Sequence, residues 1–440
     1  MPSPSGRRLL VTVALTAAAL LTTSTSPALA RPPAPAHLAP MPPEFLWGVA
    51  ASGFQAEGDA PDSNWRRYAE SGDTEDPYLN SVDFRDRFRS DIALAADLGV
   101  RVYRIGIEWA RVQPQPGVWD EDGLAFYDAV IGAITAAGMR PMLTLDHWVY
   151  PGWAADRGGW RDPEIVAHWL ANARHVVDRF AGTDPLWVSF NEPTMYLVNE
   201  LRHGGIGAAD LPVVAARIAQ AHNEIYDYIH AVQPDALVTS NVAYIPAVDD
   251  AISGALLDRM TPRLDYIGID YYYGVSPTDL QIPDFDRLWT MPLQAEGIYY
   301  ALDHYARKFP GKPLYIVENG IPTDNGLPRA DGYTRADSLR DTVYWLQRAV
   351  ADGIPVIGYN YWSLTDNYEW GSYSARFGLY TVDVLTDPTL TRRPTDAVAA
   401  YRQITGANGV APDYRPTRPV AVCSLVDGPR SCADPVTLPR

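Results

Sequence analysis

Eight short apolar runs recur along the chain, separated by longer segments with helical periodicity. The runs cover residues 45–51, 100–107, 140–146, 186–190, 236–242, 265–271, 313–318 and 355–361. Runs of this length and composition are typical of strands that are buried on both faces. Because strands that alternate with helices form parallel sheets, the pattern predicts an α/β protein. Eight such units favour a single-domain (β/α)8 TIM barrel over an open sheet.

Three of the intervening segments show the helical pattern most clearly. Residues 83–98 repeat apolar side chains on one face, with Asp83 as the predicted N-cap and Gly99 as the stop. Residues 163–180 and 336–351 repeat apolar positions at the same spacing. Amphipathic helices of this kind cover the outer face of a parallel barrel, so these segments fit the predicted fold.

The first 30 residues have the pattern of a signal peptide. Arg7 and Arg8 precede an apolar run at residues 9–21, and Ala-Leu-Ala at residues 28–30 resembles a cleavage site. The run is shorter than the roughly 20 apolar residues that span a bilayer. We therefore expect residues 1–30 to be removed and the protein to be secreted into the extracellular space. An uncleaved membrane anchor is the alternative, and the arginine pair also suits a twin-arginine route.

The rest of the chain divides into three parts by composition. Residues 31–40 form a linker rich in Pro and Ala, residues 41–410 form the predicted catalytic domain, and residues 411–440 form a Pro-rich tail. Cys423 and Cys432 are the only cysteines of the chain, and both lie in the tail. In an exported protein this spacing favours one small disulfide loop, with two free thiols as the alternative.

The composition excludes several classes of partner. The formal net charge is -17, and it becomes -19 when the two arginines of the leader are removed. A strongly acidic surface repels nucleic acid and, once the leader is gone, anionic membranes, so we expect neither as a partner. The histidines show no ligand spacing such as His-Glu-x-x-His, and we expect no metal and no cofactor. The composition does not indicate the oligomeric state.

Two glutamates each end an apolar run. Glu192 follows residues 188–191 and precedes Pro193, and Glu318 follows residues 314–317. A buried strand fixes a carboxylate at its tip, and in TIM barrels the chemistry lies at the carboxyl ends of the strands. Paired carboxylates in this arrangement are what glycosidic bond cleavage requires, one as acid/base and one as nucleophile or water activator. A structural salt bridge, for example with Arg104, is the alternative for either residue.

The other predicted strand ends carry polar and aromatic side chains that suit a sugar. Polar groups bind hydroxyls, and indoles stack on the C–H faces of a pyranose. The residues are Gln55, Glu57, Arg104, Glu108, Asp146, His147, Trp148, Asn191, Asp270, Tyr271, Tyr272, Tyr273, Asn319, Trp362, Asp366, Glu369 and Trp370. We expect Glu57, Glu108 and Asp366 to be structural and the others to include the ligand site.

In these segments the chain resembles glycoside hydrolase family 1, the retaining β-glucosidase-type enzymes with a (β/α)8 barrel. The matching segments are residues 45–58, His147-Trp148, Asn191-Glu192-Pro193, residues 317–320, and residues 361–370 leading to Arg376-Phe377-Gly378. Together they spread over roughly residues 41–405. The resemblance implies a retaining β-glycosidase that hydrolyses β-linked oligosaccharides or glycosides by double displacement.

The resemblance also implies a role for each matching position. Glu192 would be the acid/base and Glu318 the nucleophile, while Arg104 and Tyr272 would hold Glu318. The substrate-binding residues would be Gln55, His147, Trp148, Asn191, Tyr272, Trp362, Glu369, Trp370 and Phe377.

Two positions depart from the pattern of the family. Asp270 stands where the family commonly has Asn, which adds an acid close to the catalytic pair. The family's Gly-Trp-Glu segment aligns with Thr290-Met291-Pro292, so a flexible thioether would replace an aromatic wall on the leaving-group side. This predicts a site that accepts bulky apolar aglycones, unless Trp289 supplies the wall instead.

Other functions would use the same barrel. A transglycosidase, a β-galactosidase, a β-fucosidase or a β-mannosidase would share the site. A carbohydrate-binding barrel without turnover would be expected to lack one of the two carboxylates, and both are present. A phospho-sugar enzyme is disfavoured because Glu369 and Trp370 stand where such enzymes resemble a Ser/Lys/Tyr phosphate cradle.

Overall fold

The computed structural model describes residues 35, 37–246, 249, 253–277 and 287–438. The predicted signal peptide at residues 1–30 and half of the predicted linker lie outside these residues. Among the described residues, none of the helices combines the length and the apolarity that crossing a bilayer requires.

A parallel sheet that closes on itself forms the centre of the molecule. Its strands are β1 (Leu46–Ala50), β2 (Val102–Gly106), β3 (Arg140–Thr144), β4 (Leu186–Val188), β5 (Leu237–Thr239), β6 (Val242–Ala243), β7 (Ile267–Asp270), β8 (Leu314–Asn319) and, after the short β9 (Thr323–Asp324), β10 (Val356–Trp362). They lie in the order β5-β4-β3-β2-β1-β10-β8-β7-β6. Only Ser240 and Asn241 separate β5 from β6, so the two edges of the sheet belong to one interrupted strand. The predicted TIM barrel is confirmed, and each predicted run covers a barrel strand to within one residue.

Helices surround the barrel. Among the described residues they span Gly53–Ala56, Asn64–Glu70, Phe84–Asp97, Trp109–Val112, Glu121–Ala136, Gly152–Asp156, Ile165–Phe180, Pro193–His203, Leu211–Val232, Gly254–Met260, Gly297–Lys308, Arg335–Ala351, Asp396–Ala407 and Gly428–Ala433. The three predicted helices are therefore confirmed to within two residues. Gly99 ends the first of them with a φ of 73°. Asp83 occupies the N-cap position, but its side chain does not cap the helix. It accepts a hydrogen bond from Asn80 Nδ2 at 2.8 Å instead.

The barrel interior is filled by alternate residues of several strands. The interior cluster comprises Val102, Met142, Leu186, Val188, Tyr266, Tyr315 and Val317. Strict alternation along β8 would turn Glu318 away from this interior, since Val317 faces it. The pairing of β7 with β8 shifts register between Ile269 and Asp270, so that Asp270 pairs with Glu318. Irregular pairing of this kind re-aims side chains at the rims of barrels, and here it brings Glu318 to the mouth beside Asp270, which shares the interior face of Gly268.

The tail packs against the outside of the barrel. Cys423 and Cys432 are joined by a disulfide, as predicted. The backbone N–H of Leu425 donates to the Val275 carbonyl at 2.6 Å, and Tyr300 Oη accepts from the N–H of Val436 at 2.9 Å. Val426 is only 2% exposed and belongs to the main core. The tail is therefore docked on the barrel rather than extending from it as a separate segment.

Candidate active site

The two predicted catalytic carboxyls meet at the carboxyl end of the barrel. Glu192 follows β4 and directly precedes the helix Pro193–His203, with a left-handed φ of 38° and no side-chain cap to that helix. Glu318 lies on β8. One carboxyl oxygen of each residue lies within 4.8 Å of the other. Carboxyls of inverting glycosidases stand about 6.5–9.5 Å apart to admit a water, so this pair has the separation of a retaining site.

Glu318 is held by two donors. The Arg104 Nη1 atom contacts its Oε1, and Tyr272 Oη donates to its Oε2 at 2.7 Å. Arg104 is 0% exposed, and it also donates to Asn191 Oδ1 at 2.6 Å and to Thr144 Oγ1 at 3.0 Å. These contacts suit an ionised carboxylate with fixed orientation, which is the state that a nucleophile needs.

The surroundings of Glu192 favour its protonated form. Burial, together with the negative charge of Glu318, raises its pKa to about 8. The carboxyl therefore holds a proton at neutral pH and can act as a general acid. A protonated Glu192 beside a Glu318 that is held by a cation and a phenol is the arrangement that acid-assisted nucleophilic cleavage requires.

A third carboxyl stands beside this pair. One oxygen of Asp270 lies within 4.8 Å of both Glu192 and Glu318. Asn241 Nδ2 donates to Asp270 Oδ2 and also, at 2.7 Å, to Asn191 Oδ1. Burial and the charges of Glu318 and Glu192 raise the pKa of Asp270 well above its ordinary value. The extra acid anticipated from the sequence therefore lies within the catalytic group itself.

The residues that were predicted to bind sugar hydroxyls lie together at the mouth, close to Glu318. Burial and the charge of Glu318 raise the pKa of Glu369 to about 8, although the polar groups of Trp362 and Gln55 act to lower it. Burial holds the pKa of His147 well below its ordinary value, so its ring is neutral. Glu369 Oε2 and His147 Nδ1 are buried and make no hydrogen bond to the described residues. Buried polar atoms of this kind are costly, and the hydroxyl groups of a sugar can satisfy them.

Aromatic rings wall the mouth. Trp148 stacks on Trp370 with centroids 4.5 Å apart, and Trp362 stacks on His147 at 6.0 Å. Phe377 packs edge-on against Tyr272 at 5.7 Å. The structure thus brings together the aromatic residues that were predicted to bind substrate, whereas Tyr271 belongs to the main core and donates to the Gln294 carbonyl at 2.7 Å. The Trp148 indole N–H is already used, since it donates to the Asn191 carbonyl at 2.8 Å, so Trp148 orients its neighbours as well as lining the site.

Trp289 stands beside the predicted leaving-group residue Met291. Met291 is 8% exposed, and Trp289 packs with Leu288 against the cluster that contains Trp362 and Phe377. The N–H of Met291 closes the short 3-10 turn Leu288–Thr290 on the Leu288 carbonyl. Trp289, the alternative considered from the sequence, therefore joins the aromatic residues of the mouth, and the role of Met291 on the leaving-group side stays a prediction.

The residues expected to be structural have structural partners. Arg111 Nε pairs with Glu57 at 2.9 Å, and Tyr127 Oη donates to the same carboxylate at 2.8 Å. Asp366 accepts from the N–H groups of Gly378 at 2.8 Å and Val382 at 3.0 Å. These carboxylates brace the loops that carry Gln55 and Phe377.

Asn241 is the site residue that the sequence did not single out. It lies between β5 and β6, inside an apolar run, and its amide bridges Asn191 and Asp270. A polar pair, Ser240-Asn241, at the end of an otherwise apolar run was the available signal.

Known proteins with similar sequence and structure share this barrel. The model of glycosyl hydrolase family 1 matches residues 37–248 and 262–410. A 1,4-β-D-glucan glucohydrolase of Thermotoga neapolitana is 25% identical, over 84% of this chain and 99% of its own. A chloroplastic galactolipid galactosyltransferase of Arabidopsis thaliana is 30% identical, over 69% of this chain and 55% of its own. The solved family 1 β-glucosidase from Thermotoga maritima superposes with a TM-score of 0.73 at 25% identity, over 84% of this chain and 99% of that one.

Proposed function

The chain belongs to glycosyl hydrolase family 1 and is a glycoside hydrolase, and from this premise we propose that it is a secreted retaining β-glycosidase of β-glucosidase type. The observation that carries the mechanism is the carboxyl pair, with one protonated member and one member held by a guanidinium and a phenol. The glucose-type preference is supported by the glucan glucohydrolase and the β-glucosidase named above.

The first step uses both glutamates. Glu318 attacks the anomeric carbon while Glu192 gives its proton to the glycosidic oxygen. The bond between the anomeric carbon and that oxygen breaks, the aglycone leaves as an alcohol, and the sugar becomes an ester of Glu318. Arg104 and Tyr272 orient the attacking carboxylate, and Asn191, held by Arg104 and Asn241, faces the bound sugar.

The second step reverses the roles. Esterification removes the negative charge of Glu318, which is one of the causes of the raised pKa of Glu192. Glu192 is then a carboxylate that takes a proton from water, and the water oxygen attacks the anomeric carbon. The ester bond breaks, Glu318 returns as a carboxylate and Glu192 regains its proton. Two displacements restore the starting anomer.

The sugar would be bound by the polar and aromatic side chains around the catalytic glutamates. Gln55, His147 and Glu369 offer donors and acceptors to its hydroxyls, and Trp362 offers a stacking face. Trp289 and Phe377 would line the passage toward the leaving group.

Export is supported by two separate features. Residues 1–30 have the composition of a cleavable leader, and disulfides such as Cys423–Cys432 persist in oxidising compartments.

Retention of configuration is the direct test of this mechanism. With an aryl β-glucoside, the first sugar detected by proton NMR is expected to be the β-anomer, because the carboxyl separation leaves no room for a water at the nucleophile's position. The α-anomer would appear later by mutarotation. An α-anomer present from the start would contradict the double displacement.

Transfer of the sugar to an acceptor other than water is the second candidate. It is favoured by the 30% identity to the galactolipid galactosyltransferase. The chemistry needs only that an alcohol replace water in the second step.

Product analysis at increasing acceptor concentration separates the two candidates. We expect free sugar to remain the main product of an aryl glycoside at millimolar concentrations of cellobiose or of a galactolipid in micelles. A transfer product that dominates under these conditions would assign the protein to the transferases instead.

A further inference from the structure

Asp270 is a buried acid that no step of the mechanism above uses. Its side chain is 1% exposed. The titratable groups that act on it are Glu192 after β4, Glu318 on β8 and Arg104 on β2. The charge of Asp270 also raises the pKa of Tyr272, two residues further along the chain, and Asn241 donates a hydrogen bond to Asp270. Asp270 thus meets two carboxyls, one cation and one phenol.

The single cation of this group does not pair with Asp270. The three nitrogens of the Arg104 guanidinium donate hydrogen bonds to Glu318, Asn191 and Thr144. Tyr272 directs its hydroxyl to Glu318. The Asn241 amide is the one donor to Asp270 among the hydrogen bonds of the described residues. Ionisation of a buried carboxyl without a cationic partner is strongly disfavoured, so the surroundings of Asp270 favour its protonated form.

Glu192 is the neighbouring carboxyl that can share this proton, because Glu318 is already held by Arg104 and Tyr272. Carboxyl oxygens of Asp270 and Glu192 lie within 4.8 Å of each other, and both side chains are buried. Two buried carboxylates at this separation repel each other, which favours a proton on one of them. Burial raises the pKa of Glu192 to about 8 and that of Asp270 well above its ordinary value, which is the behaviour of acids that cannot both ionise.

We propose that Asp270 and Glu192 share a proton at the mouth of the barrel, so that Asp270 is a positioning residue that sets how firmly the acid/base carboxyl holds its proton. The inference rests on the proposed role of Glu192. When Glu192 gives the shared proton to the leaving group, both carboxyls are left ionised, and esterification removes the negative charge of Glu318 in the same step. When water later protonates Glu192, the shared arrangement returns, and no proton is gained or lost over the cycle.

The pair should be visible in the pH dependence of kcat/KM. A pair that shares one proton has one proton to lose on the alkaline side, and repulsion between the two carboxylates raises the pH at which it is lost. Asp270→Asn replaces the shared proton by a fixed amide donor and removes one negative charge at high pH. Both changes let Glu192 ionise more easily. The alkaline limb of Asp270→Asn is therefore expected to remain a one-proton curve, with its midpoint lower by about one pH unit or more.

A matched control separates this effect from the loss of any buried carboxyl. Asp341 is 0% exposed and accepts from Tyr333 at 2.8 Å and Tyr414 at 2.6 Å, on the outside of the barrel. Asp341→Asn should leave the midpoint of the alkaline limb of kcat/KM unchanged. Asp270→Ser, which removes the carboxyl without copying its shape, should move the limb in the same direction as Asp270→Asn.

Thermal stability gives a second readout that needs no substrate. Because the folded state raises the pKa of Asp270, the wild type binds this proton more tightly when folded and loses stability as pH rises above the unfolded value of about 3.9. The Tm of Asp270→Asn minus that of the wild type should therefore increase from pH 4 to pH 8.

The outcomes distinguish this inference from the proposed function. An unchanged alkaline limb together with a Tm difference independent of pH would overturn the shared proton. A wild type that cleaves no β-glycoside would overturn the proposed function, while the Tm series would still decide whether Asp270 carries the proton. A lower midpoint of the alkaline limb in Asp270→Asn, together with a Tm difference that grows with pH, supports both the shared proton and the proposed function.

Discussion

Replacing Glu318 by Gly is expected to lower kcat toward aryl β-glucosides by roughly 10⁴–10⁶-fold, the range seen when a nucleophile is removed. Added azide should restore turnover, because it fits the space left by the carboxylate and attacks the anomeric carbon from the same side. The product should be the α-glycosyl azide, inverted relative to the substrate. Absorbance of the released phenol measures the rate, and NMR identifies the anomer.

The control must separate catalysis from a structural ion pair. Glu318 pairs with Arg104, and breaking a buried pair typically costs about 3–5 kcal/mol of stability. Glu57 forms a comparable buried pair with Arg111, so Glu57→Gly serves as the matched change. It should lower Tm in a similar way but should show no azide-dependent product. Azide rescue that is absent from a folded Glu318→Gly protein would return Glu318 to a structural role.

Replacing Glu192 by Ala is expected to produce a different pattern. Loss of general acid–base catalysis lowers kcat by roughly 10²–10⁴-fold for substrates with poor leaving groups. Dinitrophenyl glycosides should react nearly normally in the first step, because their leaving groups need no proton. The glycosyl-enzyme should then accumulate, which a burst of dinitrophenol would reveal. Azide should intercept it and give the β-glycosyl azide, with retained configuration.

The pH profile adds an independent check on Glu192. Its pKa is raised to about 8, so the wild type should lose kcat/KM for alkyl glucosides as pH rises through this value and the acid ionises. In Glu192→Ala this alkaline limb should disappear. A limb that persists unchanged in the variant would assign the ionisation to another group, and equal loss of activity on good and poor leaving groups would contradict the role of Glu192 as the acid.

Much of the site could be predicted because it follows strand ends. Glu192, Glu318, His147 and Trp362 each stand at the end of an apolar run, and the carboxyl ends of parallel strands meet at one face of a barrel. Local periodicity reports which residues of a strand are buried, and it needs no knowledge of the neighbours. Local periodicity also located the helices. The spacing of the two cysteines was a separate signal, and it indicated the disulfide of the tail.

Contacts between elements were harder to predict because they depend on register. Trp289 packs against Trp362 and Phe377, which lie far from it in the chain, and no pattern within one segment indicates such a contact. The tail showed no apolar periodicity, yet Val426 enters the core, because irregular segments can dock through a few residues and backbone hydrogen bonds.

The sequence by itself determined the barrel, the order of its strands and helices, and the identity of the paired glutamates, because each depends on patterns within one element. Only the tertiary structure decided how the carboxyls face one another. The register shift between β7 and β8 pairs Asp270 with Glu318, and Asn241 bridges Asn191 to Asp270 across the interrupted strand. Closure of the sheet fixes these distances, and distances within a few ångströms decide which acid keeps its proton.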